Sequence, residues 1–229
     1  MITLRKSKDR GQFDFGWLKT FHSFSFGEFY DPKHMYFRHL RVMNEDVIAP
    51  SQGFPTHPHA DMEIMTLVMS GAIKHKDSMG NEFEIKRGEI QLMSAGSGIT
   101  HSEFNPSDSE PLHLYQIWII PNEKGITPRY NMSNYDPDKE GIQLIGSSDG
   151  RDESIQIFQD LDVYFARFDD DESRTISLKN KFGYLQVLEG SLQFDEKPLE
   201  AGDALMIENE SEFSMTHCKD VSVLFFDLS

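Results

Sequence analysis

Two short stretches hold the residues best suited to chemistry. The first is Gly53-Phe54-Pro55-Thr56-His57-Pro58-His59-Ala60-Asp61-Met62-Glu63, and the second runs from Gly88 to Thr100-His101-Ser102-Glu103. Residues two apart on a β-strand share a face. His57 and His59 therefore point together, as do His101 and Glu103. If the two strands pair, three imidazoles and one carboxylate converge. That donor set suits a divalent first-row transition metal, Fe, Mn, Co, Ni, Cu or Zn, with positions left open for a small ligand. Calcium would require more oxygens. A single His-x-His is a common surface pattern. The weight comes from the second cluster, where Gly88, Gly96 and Gly98 supply tight turns leading into His101-x-Glu103. Continuing the alternation from His57 puts Asp61 and Glu63 on the same face, with Glu63 read as a hydrogen-bonded group behind the ligands.

These residues must be carried by strands. Ile64 to Met69 is a nearly continuous apolar strand, and Ile73–Lys76 and Glu82–Lys86 flank a polar, glycine-bearing hairpin loop. In Leu112 to Pro121, a further strand, Gln116 and Trp118 share one face, while His113 points into the cavity or outward. Near the N-terminus, Phe24 and Phe26 alternate with serines as in an edge strand, and His39 to Asn44 reads as another strand. The lone residues His22, His34 and His39 read as structural or surface histidines. Residues 121–141 hold Pro121, Gly125, Pro128, Asn131, Asn134, Pro137 and Gly141, the composition of a linker. Strand-like runs resume at Ile155–Phe158, Val163–Phe168, Tyr184–Leu188, Ala204–Ile207 and Val221–Phe226. Asp169-Asp170-Asp171-Glu172 reads as a solvated turn. No long run has helical periodicity.

The chain has 229 residues, enough for one large β domain or two small ones. Its net charge of −16 disfavours nucleic-acid backbones and anionic membranes. A single cysteine, Cys218, forms no internal disulfide and fits a reducing compartment. Cys218 reads as a buried residue rather than a nucleophile. No apolar stretch approaches the ~20 residues of a membrane helix, and charge follows Met1-Ile2-Thr3-Leu4. The expectation is a cytoplasmic protein, monomeric on the strength of its acidic surface and duplicated organisation.

That duplication is visible in the sequence. Val68-Met69-Ser70-Gly71-Ala72-Ile73 matches Val187-Leu188-Glu189-Gly190-Ser191-Leu192, and Ile85 to Ile90 matches Leu199 to Ala204. Projected through these matches, His57 falls on Ile176, His59 on Leu178, His101 on Met215 and Glu103 on His217. The expected division is a metal-binding domain over residues 1–130 and a degenerate, metal-free domain over residues 131–229.

A duplicated all-β barrel with His-x-His and a later His resembles the cupins. Within them, Gly53-Phe54-x-x-His57-Pro58-His59-x-x-x-Glu63 and Gln91-x-Met93-x-Ala95-Gly96-x-Gly98-x-x-His101-Ser102-Glu103 resemble the pirin family. So do Phe21 to Phe26, Asp77-Ser78-x-Gly80 and Leu114 to Trp118. The chain is especially similar to bacterial pirin-like proteins described as quercetin 2,3-dioxygenases. Ser94 stands where general cupins carry a proline, and Ala60-Asp61 replace the Arg-Gly of many pirin-like sequences. The resemblance implies a bicupin, two β-barrel or jelly-roll domains packed together, with His57, His59, His101 and Glu103 as metal ligands. It implies O2-dependent cleavage of a flavonol such as quercetin to a depside and carbon monoxide with no external reductant, and Glu103, or an outer carboxylate such as Glu63, would accept the hydroxyl proton as base. It also leaves open a metal-dependent regulatory protein acting through a protein partner, without direct DNA contact, or a small-molecule isomerase on the same fold.

Overall fold

The computed structural model describes residues 1–169 and 173–229. The strands in chain order are β1 (Ile2–Arg5), β2 (Gly11–Asp14), β3 (Leu18–His22), β4 (Leu40–Ile48), β5 (Gly53–His59), β6 (Glu63–Ser70) and β7 (Ala72–Asp77). There follow β8 (Glu82–Lys86), β9 (Glu89–Ser94), β10 (Ile99–Phe104), β11 (Leu112–Ile119), β12 (Arg129–Asn134) and β13 (Gly141–Ser147). The last are β14 (Ile155–Gln156), β15 (Leu161–Phe168), β16 (Arg174–Ser177), β17 (Phe182–Phe194), β18 (Lys197–Glu200), β19 (Ala204–Glu208) and β20 (Glu212–Leu228). Among the described residues the helical segments are two three-residue 3-10 turns, Ser7–Asp9 and Arg151–Glu153. The chain is all-β, and it forms two compact units. One comprises residues 10–135 with 157–159; the other comprises 1–9, 136–156 and 160–229.

The unit of residues 10–135 is built from two sheets. A seven-stranded sheet runs β12-β9-β6-β11-β4-β3-β2, and a four-stranded sheet runs β5-β10-β7-β8. Their inner faces meet through an apolar cluster in which Ile73 and Ile85 of the smaller sheet pack on Leu18, Ile48, Val68, Leu112 and Leu114 of the larger. A second apolar cluster joins Ile64, Met93, Ala95 and Ile99, with Trp118 against it. Between the two clusters the register aligns one polar row across the larger sheet. Gln91 lies opposite Thr66, Thr66 opposite Gln116, Gln116 opposite Asn44, and Asn44 opposite His22. Polar groups in a barrel interior need partners or a ligand, so the row marks where the interior is designed for something other than packing.

The other unit is a nine-stranded arrangement around the long strands β17 and β20, antiparallel except for the β13–β14 pair, with β1 paired on β19. Its interior is apolar. Ile176, Leu178 and Met215, the residues matched to three of the four donors, belong to its apolar core with Leu185, Phe213 and Phe225. His217, matched to Glu103, is exposed. Cys218 is buried.

Three local expectations need correction. Phe24 to Phe26 is not a strand, because β3 stops at His22. Ser25 Oγ donates to the Asp31 carbonyl and accepts from the Asp31 amide, and Gly27 at φ 55° turns the chain so that Phe26 and Phe29 bridge. Side-chain hydroxyls that bond nearby backbone compete with a ladder in this way. Residues 121–141 are not all linker, since Arg129–Asn134 forms β12 along β9. It is an edge strand, where polar residues such as Asn131, Ser133 and Asn134 are tolerated and imitate loop composition. Finally, the alternation from His57 does not reach Glu63. Asp61 at φ 51° breaks it, and the chain passes from the smaller sheet into β6 of the larger. Of the acidic turn expected at Asp169–Glu172, residues 170–172 lie outside the described residues.

The join between β5 and β10 depends on Gly53. A Cβ there would fall inside contact distance of the Glu103 carbonyl oxygen and 2.5 Å from Phe104 Cα. Gly53→Ala is expected to force the two donor-bearing strands apart and to cost about 1–3 kcal/mol, the usual penalty of overpacking. Thermal and urea denaturation against the parent protein checks this; an unchanged midpoint contradicts it.

Candidate metal centre

β10 is the strand on which the site is assembled. It pairs on one side with β5, placing His101 opposite His57 and Ile99 opposite His59, and on the other with β7, placing His101 opposite Asp77 and Glu103 opposite His75. Ile99, His101 and Glu103 alternate inward, while Thr100, Ser102 and Phe104 do not. A bulge shifts the register between His101 and Glu103, with the extra residue on β5. Such bulges re-aim side chains beside sites.

The structure brings His57, His59 and His101 together, with ring centroids 4.4 to 4.9 Å apart and donor atoms within 4.8 Å of one another. Glu103 is 1% exposed and lines the same cavity. By donor-atom distance it groups with His101 and His75 rather than with the β5 pair. Its carboxylate is drawn toward Gln116, whose Nε2 donates to Oε1 at 3.3 Å and Oε2 at 3.2 Å.

His75 is the residue the sequence reading missed. It is fully buried beneath His101, and the hydrogen bonds around it set the tautomers in sequence. Asp77 accepts from Asn81 Nδ2 at 2.9 Å and from the Met79 and Asn81 amides, and lies 3.2 Å from His75 Nε2. Burial works to raise the Asp77 carboxyl, but the bonds from Asn81, His75 and Met79 outweigh it and hold it below its ordinary value. An ionised carboxylate only accepts, so His75 Nε2 carries the proton. His75 Nδ1 then offers a lone pair to His101 Nδ1–H, 3.4 Å away. His101 is left with its Nε2 lone pair buried and without a partner among the described residues. His57 reaches the same state by another route, since its Nδ1 donates to the Pro55 carbonyl at 2.8 Å. His59 Nε2 is also buried without a partner among the described residues. Metal-binding histidines are typically oriented by such bonds at the far ring nitrogen.

The electrostatics favour the same use. Burial, with His57 nearby, lowers His59 to about 4; burial, then His57, His59 and His75, pushes His101 well below the ordinary imidazole range. Both rings are neutral at pH 7 and no proton blocks their lone pairs. Burial raises Glu103 to about 7 against the opposing bond from Gln116, with Asp46 adding to the rise. A buried carboxylate among neutral donors is an attractor for a cation. The donor set and the orphaned lone pairs therefore fit a divalent transition metal.

Above the donors is a cavity of about 360 Å³ whose walls include Phe26, Phe54 and Trp118. Trp118 stands edge-on to His59 at 4.9 Å, and Phe26 edge-on to Trp118 at 5.4 Å. Glu63 lies elsewhere. Its Oε2 accepts from Ser94 Oγ at 3.0 Å and from the Phe158 amide at 3.3 Å, which makes it an anchor for residues 157–159. His113 faces outward and bonds Glu45 at 3.0 Å; Glu45 in turn accepts from Arg10. His34 pairs with Asp31. His-x-Asp at 75 and 77, inside a strand whose alternate residues are apolar at Ile73, was the available signal for His75.

Two β units, one carrying convergent histidines under an aromatic cavity and the other with apolar residues at three of the matching positions, define a bicupin with its donors in a single barrel. The chain belongs to the pirin family: the Pirin family model matches residues 3–119, and the quercetinase C-terminal cupin domain model matches residues 144–228. It is 47% identical over 229 residues to a quercetin 2,3-dioxygenase of Escherichia coli strain K12, covering 100% of this chain and 99% of that one. The crystal structure of YhhW from Escherichia coli superposes with a TM-score of 0.96 at 46% identity, covering 100% of this chain and 98% of that one. The same bacterial pirin in complex with nickel(II) superposes at 0.95 with 45% identity, over 100% and 99% of the two chains.

Two outcomes follow from this geometry. His75→Phe removes the acceptor behind His101 while keeping the packing, and is expected to weaken metal affinity about 10–100-fold, read by competitive chelator titration; an unchanged affinity contradicts the relay. The second concerns pH. Glu103 in the metal-free protein is protonated below about 7, so the ion must displace that proton at lower pH. Affinity should rise about tenfold per unit between pH 5 and 7 and level off above, because burial keeps His59 and His101 neutral over that range. Calorimetry across that range tests the sign and the plateau.

Proposed function

We propose that this chain holds one divalent transition-metal ion through His57, His59, His101 and Glu103 and cleaves flavonols such as quercetin with O2. The observation that carries this is the meeting of His57, His59 and His101 beside a buried carboxylate, Glu103, that lines the same aromatic-walled cavity. The 47% identity to a protein named quercetin 2,3-dioxygenase, and the nickel(II) complex of a close relative, support the same reading. The donor set itself admits Fe, Mn, Co, Ni, Cu or Zn.

A bound ion would supply Lewis acidity that favours negative charge on the substrate's 3-oxygen. The remaining work belongs to the chain. Phe26, Phe54 and Trp118 receive a flat aromatic body and exclude water from it. Glu103, which lines the cavity beside the donors, is the carboxylate placed to take up the proton of the 3-hydroxyl. Gln116 Nε2 holds the carboxylate in place for that exchange. Asp77 and His75 fix the His101 ring, and Pro55 fixes His57.

Residues 131–229 serve as a metal-free partner domain, consistent with Ile176, Leu178 and Met215 in an apolar core. The charge of −16 fits a protein without nucleic-acid or anionic-membrane partners. Among the described residues no helix is long and apolar enough to cross a membrane. We further place the protein in the cytoplasm as a monomer.

Metal-loaded protein is expected to consume quercetin under O2, followed by its visible absorbance, and to stop on chelation. His57→Ala and His101→Ala should each lower the rate at least ~100-fold. Undiminished turnover in both variants would sink the assignment.

A further inference from the structure

A second cavity of about 230 Å³ adjoins the one above the donors. The two share Phe26, Asn44, Asp46 and Phe54 in their linings. Phe13, Phe15 and Leu18 add apolar wall to the second, with Thr20, Gly27 and Glu28 beside them, and its floor is the end of the polar row that begins at Gln91. Ring contacts run without a break from one cavity to the other. Phe15 stacks on Phe13 at 6.0 Å, Phe13 meets His22 at 5.4 Å, His22 meets Phe26 at 5.2 Å, and Phe26 leads on to Trp118 and His59.

The floor carries unpartnered acceptors. Asn44 and Asp46 are each 5% exposed, yet Asn44 Oδ1 and Asp46 Oδ1 have no hydrogen-bond partner among the described residues. Thr20 bonds Asp46 without satisfying that oxygen. His22 is 6% exposed and donates its ring N–H to the Phe26 backbone, which leaves Nδ1 as a further unpartnered acceptor. Unsatisfied buried acceptors each cost stability and call for an explanation. Three unpartnered acceptors beside aromatic walls describe a subsite for a ring that brings its own O–H groups.

We infer that this side chamber is a specificity subsite for a phenolic ring, with Asn44 and Asp46 as the residues that accept its hydroxyl protons. The inference rests on the flavonol reading for its placement: a fused ring system held above the donors would send its pendant aryl ring through the shared wall at Phe26 and Phe54. A site built to hydrogen-bond a hydroxyl discriminates against the analogue that lacks it. The chamber therefore ranks substrates by pendant-ring hydroxylation, while the donors below act on the fused rings.

The test uses metal-loaded full-length protein and three flavonols whose pendant ring carries no, one or two hydroxyls. The kcat/KM ratio of the dihydroxylated to the unsubstituted compound is expected to be about tenfold or more. Asn44→Leu should bring that ratio toward one, and Asn44→Asp, which keeps an acceptor, should preserve it. If flavonols are cleaved without regard to pendant-ring hydroxyls, or if Asn44→Leu leaves the ratio intact, the subsite is refuted and the dioxygenase reading stands. If no flavonol is cleaved, ligand-observed NMR with phenol and toluene decides. Phenol preferred by the parent protein and not by Asn44→Leu upholds the subsite while the dioxygenase reading falls. Equal binding of phenol and toluene refutes the subsite as well.

Discussion

The structure depends on keeping imidazole lone pairs bare inside a hydrophobic barrel. A buried nitrogen without a partner is costly, and here His59 Nε2 and His101 Nε2 are both in that state. The barrel tolerates them because everything around them is fixed. Apolar clusters close the interior above and below, the bulge in β5 aims the donors, and the far nitrogens of His57 and His101 are committed to other partners. The same rigidity prevents the rings from turning to satisfy themselves on nearby carbonyls. Fold stability and readiness to bind a cation are thus opposed locally and reconciled only when a ligand arrives.

The chain from Asp77 through His75 to His101 extends that logic outward. Asp77 closes the loop between β7 and β8 by accepting from Met79 and Asn81, so a turn at the edge of the smaller sheet and a ring at the centre of the barrel are held by one carboxylate. Tyr130 lies over His75 at 4.8 Å and donates to Gln91 at 3.3 Å, which ties β12 of the larger sheet to the same support. An edge strand that resembles loop in composition is in this way part of what steadies the centre.

Much of this was legible from the residues alone. Two i, i+2 pairs on strands that must be neighbours predict that His57, His59 and His101 meet, and alternation along β11 places Gln116 and Trp118 on the cavity face. What escaped was set by interactions that a period of two cannot encode. Asp61 in a left-handed conformation takes Glu63 out of phase with His57. Gln116 pulls the Glu103 carboxylate to its own side. His75 carries only the short His-x-Asp pattern with Asp77, and its role comes from register with β10. The polar row likewise exists only across strands distant in sequence, and His22, read as a lone structural histidine, becomes the end of it.

The composition of the two units has a consequence for how the chain can be divided. Residues 1–9 lie in the unit otherwise formed by 136–229, where β1 pairs with β19, and residues 157–159 return to the other unit, where the Phe158 amide meets Glu63. No single cut yields two intact halves. Severing the chain near residue 130 would strip an edge strand from one fragment and leave a buried carboxylate without its amide in the other. Recombination that swapped whole barrels between relatives would meet the same obstacle, so the two copies are bound to be inherited together.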